Sequence, residues 1–97
     1  HDRKLLPIIT AAAIERSLIA DCRRIGALGY TVLDVRGGGL RGDREGAWEA
    51  DRSIELQVVC GAEVAARIAE HVLQTYAPHY AAALYLSDVQ VFRAGKF

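Results

Sequence analysis

Three consecutive glycines, Gly37, Gly38 and Gly39, are followed at short spacing by Arg41 and Arg44. Glycine lacks Cβ, so its backbone can turn through positive φ, approach a ligand closely and aim N–H groups at an anion. A guanidinium forks onto two oxygens of a phosphate or carboxylate. Glycines and arginines at this spacing predict an anion-binding loop. The alternative is a mobile glycine-rich surface loop with solvated arginines, and residue types alone leave both open.

Other reactive side chains lack a frame. Ser17, His71 and His79 belong to no GxSxG elbow or HExxH pair, and a catalytic base must reach its proton. The same histidines have no ligand partners by spacing, which weakens a metal site. Cys22 and Cys60 fall in no CxxC pattern and read as buried small hydrophobes suited to a reducing cytoplasm. Trp48, between Glu45 and Glu49, is either an anchor for a macromolecular partner or packs back on its own assembly.

The residues around the loop predict what positions it. Leu5, Leu6, Ile8 and Ile9 form a short buried strand ending at Thr10, with Pro7 placing part of it on an edge. His1 to Arg3 are set aside as a tag remnant or trimmed start. From Ala11 to Leu28 the period changes: Ile14, Leu18, Cys22 and Ile25 make an amphipathic helix, capped by Thr10 and stopped by Gly26 or Gly29. A strand over Tyr30 to Arg36 leads into a polar loop, Gly37 to Arg52. Ser53 to Cys60 is a third strand. Glu63 to Ala77 is a second helix, with Val64, Ile68, Val72 and Tyr76 on one stripe and Pro78 beyond it. Leu84 to Phe92 supplies the last strand.

The order β-α-β-β-α-β predicts the α+β, ferredoxin-like arrangement: a four-stranded antiparallel sheet with two helices on one face. Its other face is left uncovered, with Leu33, Val35, Tyr85 and Val89 among its residues, and invites a partner subunit. At 97 residues there is room for a single domain, 4–97. Twelve Lys plus Arg balance twelve Asp plus Glu, so no field draws nucleic acid. No apolar run reaches membrane-spanning length, and no signal-peptide core opens the chain, which predicts a cytoplasmic protein without membrane insertion.

Three segments together carry a family resemblance: IGALGYTVLDVRGGGLRG over 25–42, SIELQVVC over 53–60 and YAAALYLSDVQVF over 80–92. The chain resembles the PII-like signalling proteins, most of all the branch of bicarbonate-transporter regulators and carboxysome-associated PII proteins. The resemblance implies a bacterial homotrimer that binds adenine nucleotide between subunits and signals through a flexible T-loop, here about 37–52. Carried over by position, Gly37, Gly38 and Gly39 lie at the loop base near the phosphates, and Arg41 and Arg44 neutralise them. Thr31 meets the adenine, Gln57 and Val59 line the base pocket, and Lys96 matches a basic residue of the C-terminal segment. Gly39, Leu40 and Arg41 are the implied bicarbonate set.

Departures refine this. His79 to Ala83 lacks the Gly and Lys that classical members use around a triphosphate, which shifts the expected ligand to ADP, AMP or cyclic AMP. Classical 2-oxoglutarate sensing is not carried over. The loop has no Tyr for uridylylation, and the cysteine-bearing tail of many transporter regulators has no counterpart, which favours the carboxysome-associated group. The implied partner is a bicarbonate transporter or carboxysome component, and no enzymatic role is expected. Two alternatives stand beside it: a metal-binding trimer similar to the divalent-cation tolerance proteins, and a small phosphatase.

Overall fold

In the computed structural model, which describes residues 1–39, 42–44 and 52–97, the longest strand is β1, Asp2–Ala11. It pairs antiparallel with β5, Ser53–Cys60, in an unbroken register from Lys4 opposite Cys60 to Ala11 opposite Ser53. Alternation along the two strands sends Leu6, Ile8 and Thr10 to the same side as Ile54, Leu56, Val58 and Cys60, all buried. Strand β2, Thr31–Val35, pairs with the far side of β5 and forms one edge. The other flank of β1 is taken by two short strands, β6, Ala82–Leu84, and β7, Ser87–Gln90. Between β2 and β5, β3 (Gly37–Gly39) and β4 (Gly42–Arg44) make a separate two-stranded ribbon.

The sheet is therefore four positions wide and antiparallel throughout, as the ferredoxin-like order requires, with its last position split between β6 and β7. The split explains Pro7. The residue sits on an interior strand rather than an edge and is buried. The pairings of Ile8 with Leu84 and Leu5 with Ser87 share one register, so Leu6 and Pro7 face the lapse at Tyr85 and Leu86. A residue without an N–H is tolerated where the ladder is already open.

Two further local signals give way to tertiary pairing. Thr10 is a buried strand residue, not a helix cap; its hydroxyl donates to the Ala81 carbonyl at 2.7 Å. The chain then passes through a 3-10 turn, Ala12–Ile14, and α1 begins only at Glu15, running to Ile25. His1 to Arg3, set aside above, belong to the sheet: Asp2 and Arg3 pair with Gln90 and Val89, and the Val91 N–H donates to the His1 carbonyl at 2.8 Å.

Helices α1 and α2, Ala62–Thr75, cover one sheet face with Ile14, Leu18 and Cys22 from one side and Ala65, Ile68, Val72 and Tyr76 from the other. Gly26 ends α1 at φ 135°, where its N–H and that of Ala27 both reach the Cys22 carbonyl at 3.1 and 2.9 Å. A Cβ added there would lie 3.2 Å from Cγ2 of Val64 on α2. Backbone sign and close helix approach both demand glycine at this position.

A polar pin joins the helices. The Tyr76 hydroxyl donates to Asp21 Oδ2 at 2.5 Å, His71 Nε2 lies 2.7 Å from the same oxygen, and Arg24 Nη2 donates to Oδ1 at 3.1 Å. Burial pushes the Asp21 carboxyl up, but these hydrogen bonds outweigh it and hold it below the usual carboxylate value. Burial and the Asp21 contact push the Tyr76 hydroxyl up, keeping it a donor. His71 is thus structural.

These contacts lead to two expected outcomes. Gly26→Ala is expected to lower unfolding stability by about 1–2 kcal/mol in denaturant titration, since both conformation and space are wrong for a methyl. Asp21→Asn is expected to cost about 1–3 kcal/mol at neutral pH. Because the folded-state value is the lower one, that stabilisation is complete above about pH 4 and fades as pH falls through the depressed value. Stability curves of the two proteins should converge in acid.

Candidate functional site

The candidate residues fall into two groups at opposite ends of the sheet. Thr31 opens β2 and pairs directly with Gln57 of β5; Val59, two residues on, is opposite Leu5 of β1. Alternation puts Thr31, Gln57 and Val59 on the face without helices, together with Leu33, Val35, Leu5, Pro7 and Ile9 from their strands and Tyr85 and Val89 in register. Tyr85 and Leu33 are 57% and 41% exposed, apolar surface left open among the described residues. The Gln57 amide donates to Glu55 Oε2 at 2.6 Å along the same strand face.

The glycines stand at the other end. Gly37 lies six residues beyond Thr31, past the end of β2 at Val35 and on the separate ribbon. Gly37, Gly38 and Gly39 are extended and pair with Arg44, Asp43 and Gly42. Among the described glycines Gly26 alone has positive φ, and Gly37–Gly39 form an extended ribbon. The loop therefore opens as a hairpin. Leu40 and Arg41, and with them Glu45, Trp48 and Glu49, lie outside the described residues. Beside the ribbon, a cleft of about 320 Å³ is lined by Asp34, Val35, Arg36, Arg52 and Ser53. Two arginines against one aspartate give it a positive balance near the loop base.

Lys96 closes a 3-10 turn, Ala94–Lys96, that is bound to the start of β1 by Arg3. A larger cleft of about 610 Å³ opens there, lined by Asp2, Arg3, Lys4, Ala62, Asp88, Val89 and Gln90, with Lys4 and Asp88 paired across it. Sequence reasoning missed Arg3 by setting the first three residues aside; its one sequence signal is a cation beside an apolar strand. Among the described residues no group of three His, Cys, Asp or Glu side chains could hold a metal. Cys22 and Cys60 are both buried, and burial drives the Cys22 thiol up to about 11.

The model of the nitrogen regulatory protein P-II family matches residues 3–96. The chain belongs to the P-II family. It is a PII-like regulator by that membership, and two solved structures are close over nearly the full length. A PII-like signalling protein from Thermus thermophilus is 36% identical, with a TM-score of 0.85 over 99% of this chain and 95% of that one. CPII, a nitrogen regulatory PII-like protein from Thiomonas intermedia K12 that was solved bound to ADP, AMP and bicarbonate, is 27% identical, with a TM-score of 0.88 over 100% of this chain and 94% of that one. The Bacillus subtilis GlnK-ATP complex, 18% identical with a TM-score of 0.62 over 91% of this chain and 82% of that one, shares the fold. No curated protein sequence matches.

Thiol accessibility checks the reading of the cysteines. Native protein is expected to resist alkylation at pH 7 over hours, and both thiols should react promptly once the chain is unfolded. Rapid native labelling of Cys22 would contradict its burial.

Proposed function

We propose that this P-II family member is a non-catalytic, homotrimeric sensor that holds ADP, AMP or cyclic AMP in clefts between subunits, with bicarbonate as a second ligand. One observation carries the reading. Thr31, Gln57 and Val59 lie on the sheet face that the helices leave uncovered, while Gly37–Gly39 lie on a separate ribbon beyond the end of β2, an arrangement that favours a cleft completed by a second subunit meeting through that face. The apolar residues on that face supply the driving force, at roughly 25 cal/mol per Å² of apolar surface buried.

In this reading the base rests on Thr31, Gln57 and Val59 of one subunit. Phosphates meet backbone N–H groups of Gly37, Gly38 and Gly39 and the guanidiniums of Arg41 and Arg44 from its neighbour, and Lys96 adds charge at the edge. Bicarbonate, a small monoanion, is held by the same loop base at Gly39, Leu40 and Arg41. The binding of ADP, AMP and bicarbonate by CPII, at 27% identity over the full chain, supports this ligand set. Occupancy biases the 37–52 loop toward one arrangement, and the loop then admits or refuses a partner of inorganic carbon uptake, either a bicarbonate transporter or a carboxysome component. Such coupling requires that ligand bind one loop state more tightly than the other.

Calorimetric titration with each adenylate, with and without bicarbonate, tests the ligands. Arg41→Ala is expected to weaken the tightest one about 10–100-fold, or ~1.5–3 kcal/mol, the size of a charged hydrogen-bond set. The shared cleft has its own test. Subunits carrying Arg41→Ala, mixed with subunits carrying Thr31→Ala and Gln57→Ala, should regain high-affinity sites after exchange, because some clefts then receive both intact halves. A monomer in sedimentation that takes up no adenylate overturns the proposal.

A further inference from the structure

Arg3 is not among the residues assigned to the nucleotide cleft, and its side chain is fully committed. Its Nε donates to the Phe97 carbonyl at 3.2 Å, its Nη2 to the Ala94 carbonyl at 3.4 Å and its Nη1 to the Asp2 carbonyl at 2.8 Å. Ala94 and Phe97 bracket the 3-10 turn that contains Lys96. The turn's own bonds are weak in number: Lys96 N–H to Arg93 at 3.1 Å and Phe97 N–H to Ala94 at 3.2 Å. No residue of the turn is buried, and Phe92 just before it is 96% exposed. A short 3-10 segment of this kind has little to hold it except an outside contact.

The base of that contact is firm. Arg3 pairs in register with Val89 of β7, the neighbouring Lys4 is ion-paired with Asp88, and two residues along the strand Leu5 is opposite Val59. One planar guanidinium therefore ties both ends of the turn to the same end of the sheet that carries Val59, Gln57 and Thr31. We propose that Arg3 is a positioning residue of the nucleotide cleft, holding the turn so that Lys96 meets its ligand already in place. The inference rests on the assignment of Lys96 to the cleft made above. Ordering the turn before binding removes a cost otherwise met on association. A lysine could substitute only in part, since three acceptors at three guanidinium nitrogens need the fork.

The experiment pairs affinity with backbone dynamics in Arg3→Met, Arg3→Lys, Lys96→Ala and the Arg3→Met/Lys96→Ala double variant. Arg3→Met is expected to bind the preferred adenylate about fivefold more weakly. The double variant should be no weaker than Lys96→Ala alone, because Arg3 acts only through that turn. Arg3→Lys should fall between wild type and Arg3→Met. The heteronuclear ¹H–¹⁵N NOE of residues 95–97 should drop in Arg3→Met toward that of a free tail. Unchanged NOEs, unchanged affinity, or losses that add in the double variant overturn the positioning role while nucleotide binding stands. Failure of the wild-type protein to bind any adenylate overturns the cleft reading itself, and the positioning role with it.

Discussion

Two helices can cover only one face of a sheet four strands wide. The β1–β5 ladder sets which face that is: its register puts Leu6, Ile8, Leu56 and Val58 under the helices and leaves Leu5, Pro7, Ile9 and Val59 on the other side. A one-residue slip would invert both sets at once, so the burial of one face specifies the exposure of the other. Fully burying one Leu or Val side chain is worth about 1.5–3 kcal/mol. Leu33, Val35, Tyr85 and Val89 join that second face, on which Leu33 and Tyr85 are exposed. Thr31 and Gln57 sit on it.

The two ends of the sheet differ in how they are held. Toward the Val59 end, β1 is flanked by β5 and β7, and Arg3 and the Lys4–Asp88 pair bind the C-terminal turn to it. At the other end the chain leaves β2 into the β3–β4 ribbon, where three glycines contribute backbone bonds and no side chains to pack. A two-stranded ribbon without an apolar face is marginal alone. Elements of low local stability are the ones a ligand can bias.

The helix layer supplies rigidity through two details that are easily overlooked. Gly26 lets α1 stop against Val64, and Asp21 gathers Tyr76, His71 and Arg24 onto one carboxylate between the helices. Neither touches the candidate site. Both fix how α1 and α2 lie against each other over the sheet.

Much of this was readable from residue order. The Ser53–Cys60 strand follows from strict alternation, both helices from three- and four-residue spacing, and the ferredoxin-like order from their succession; the glycine and arginine spacing pointed to the loop. What composition could not convey was long-range. Pro7 reads as an edge residue until the lapse at Tyr85 and Leu86 is known, and Thr10 reads as a cap until Ala81 is seen to accept its hydroxyl. The Asp21–His71 contact spans fifty residues, and the ties from Arg3 to Phe97 nearly the whole chain. Local pattern determines which backbone state a segment prefers, because propensity and periodicity act over a few residues. Which segments become neighbours is decided by register and packing, and only those placed Thr31 beside Gln57 and the glycines at the far end.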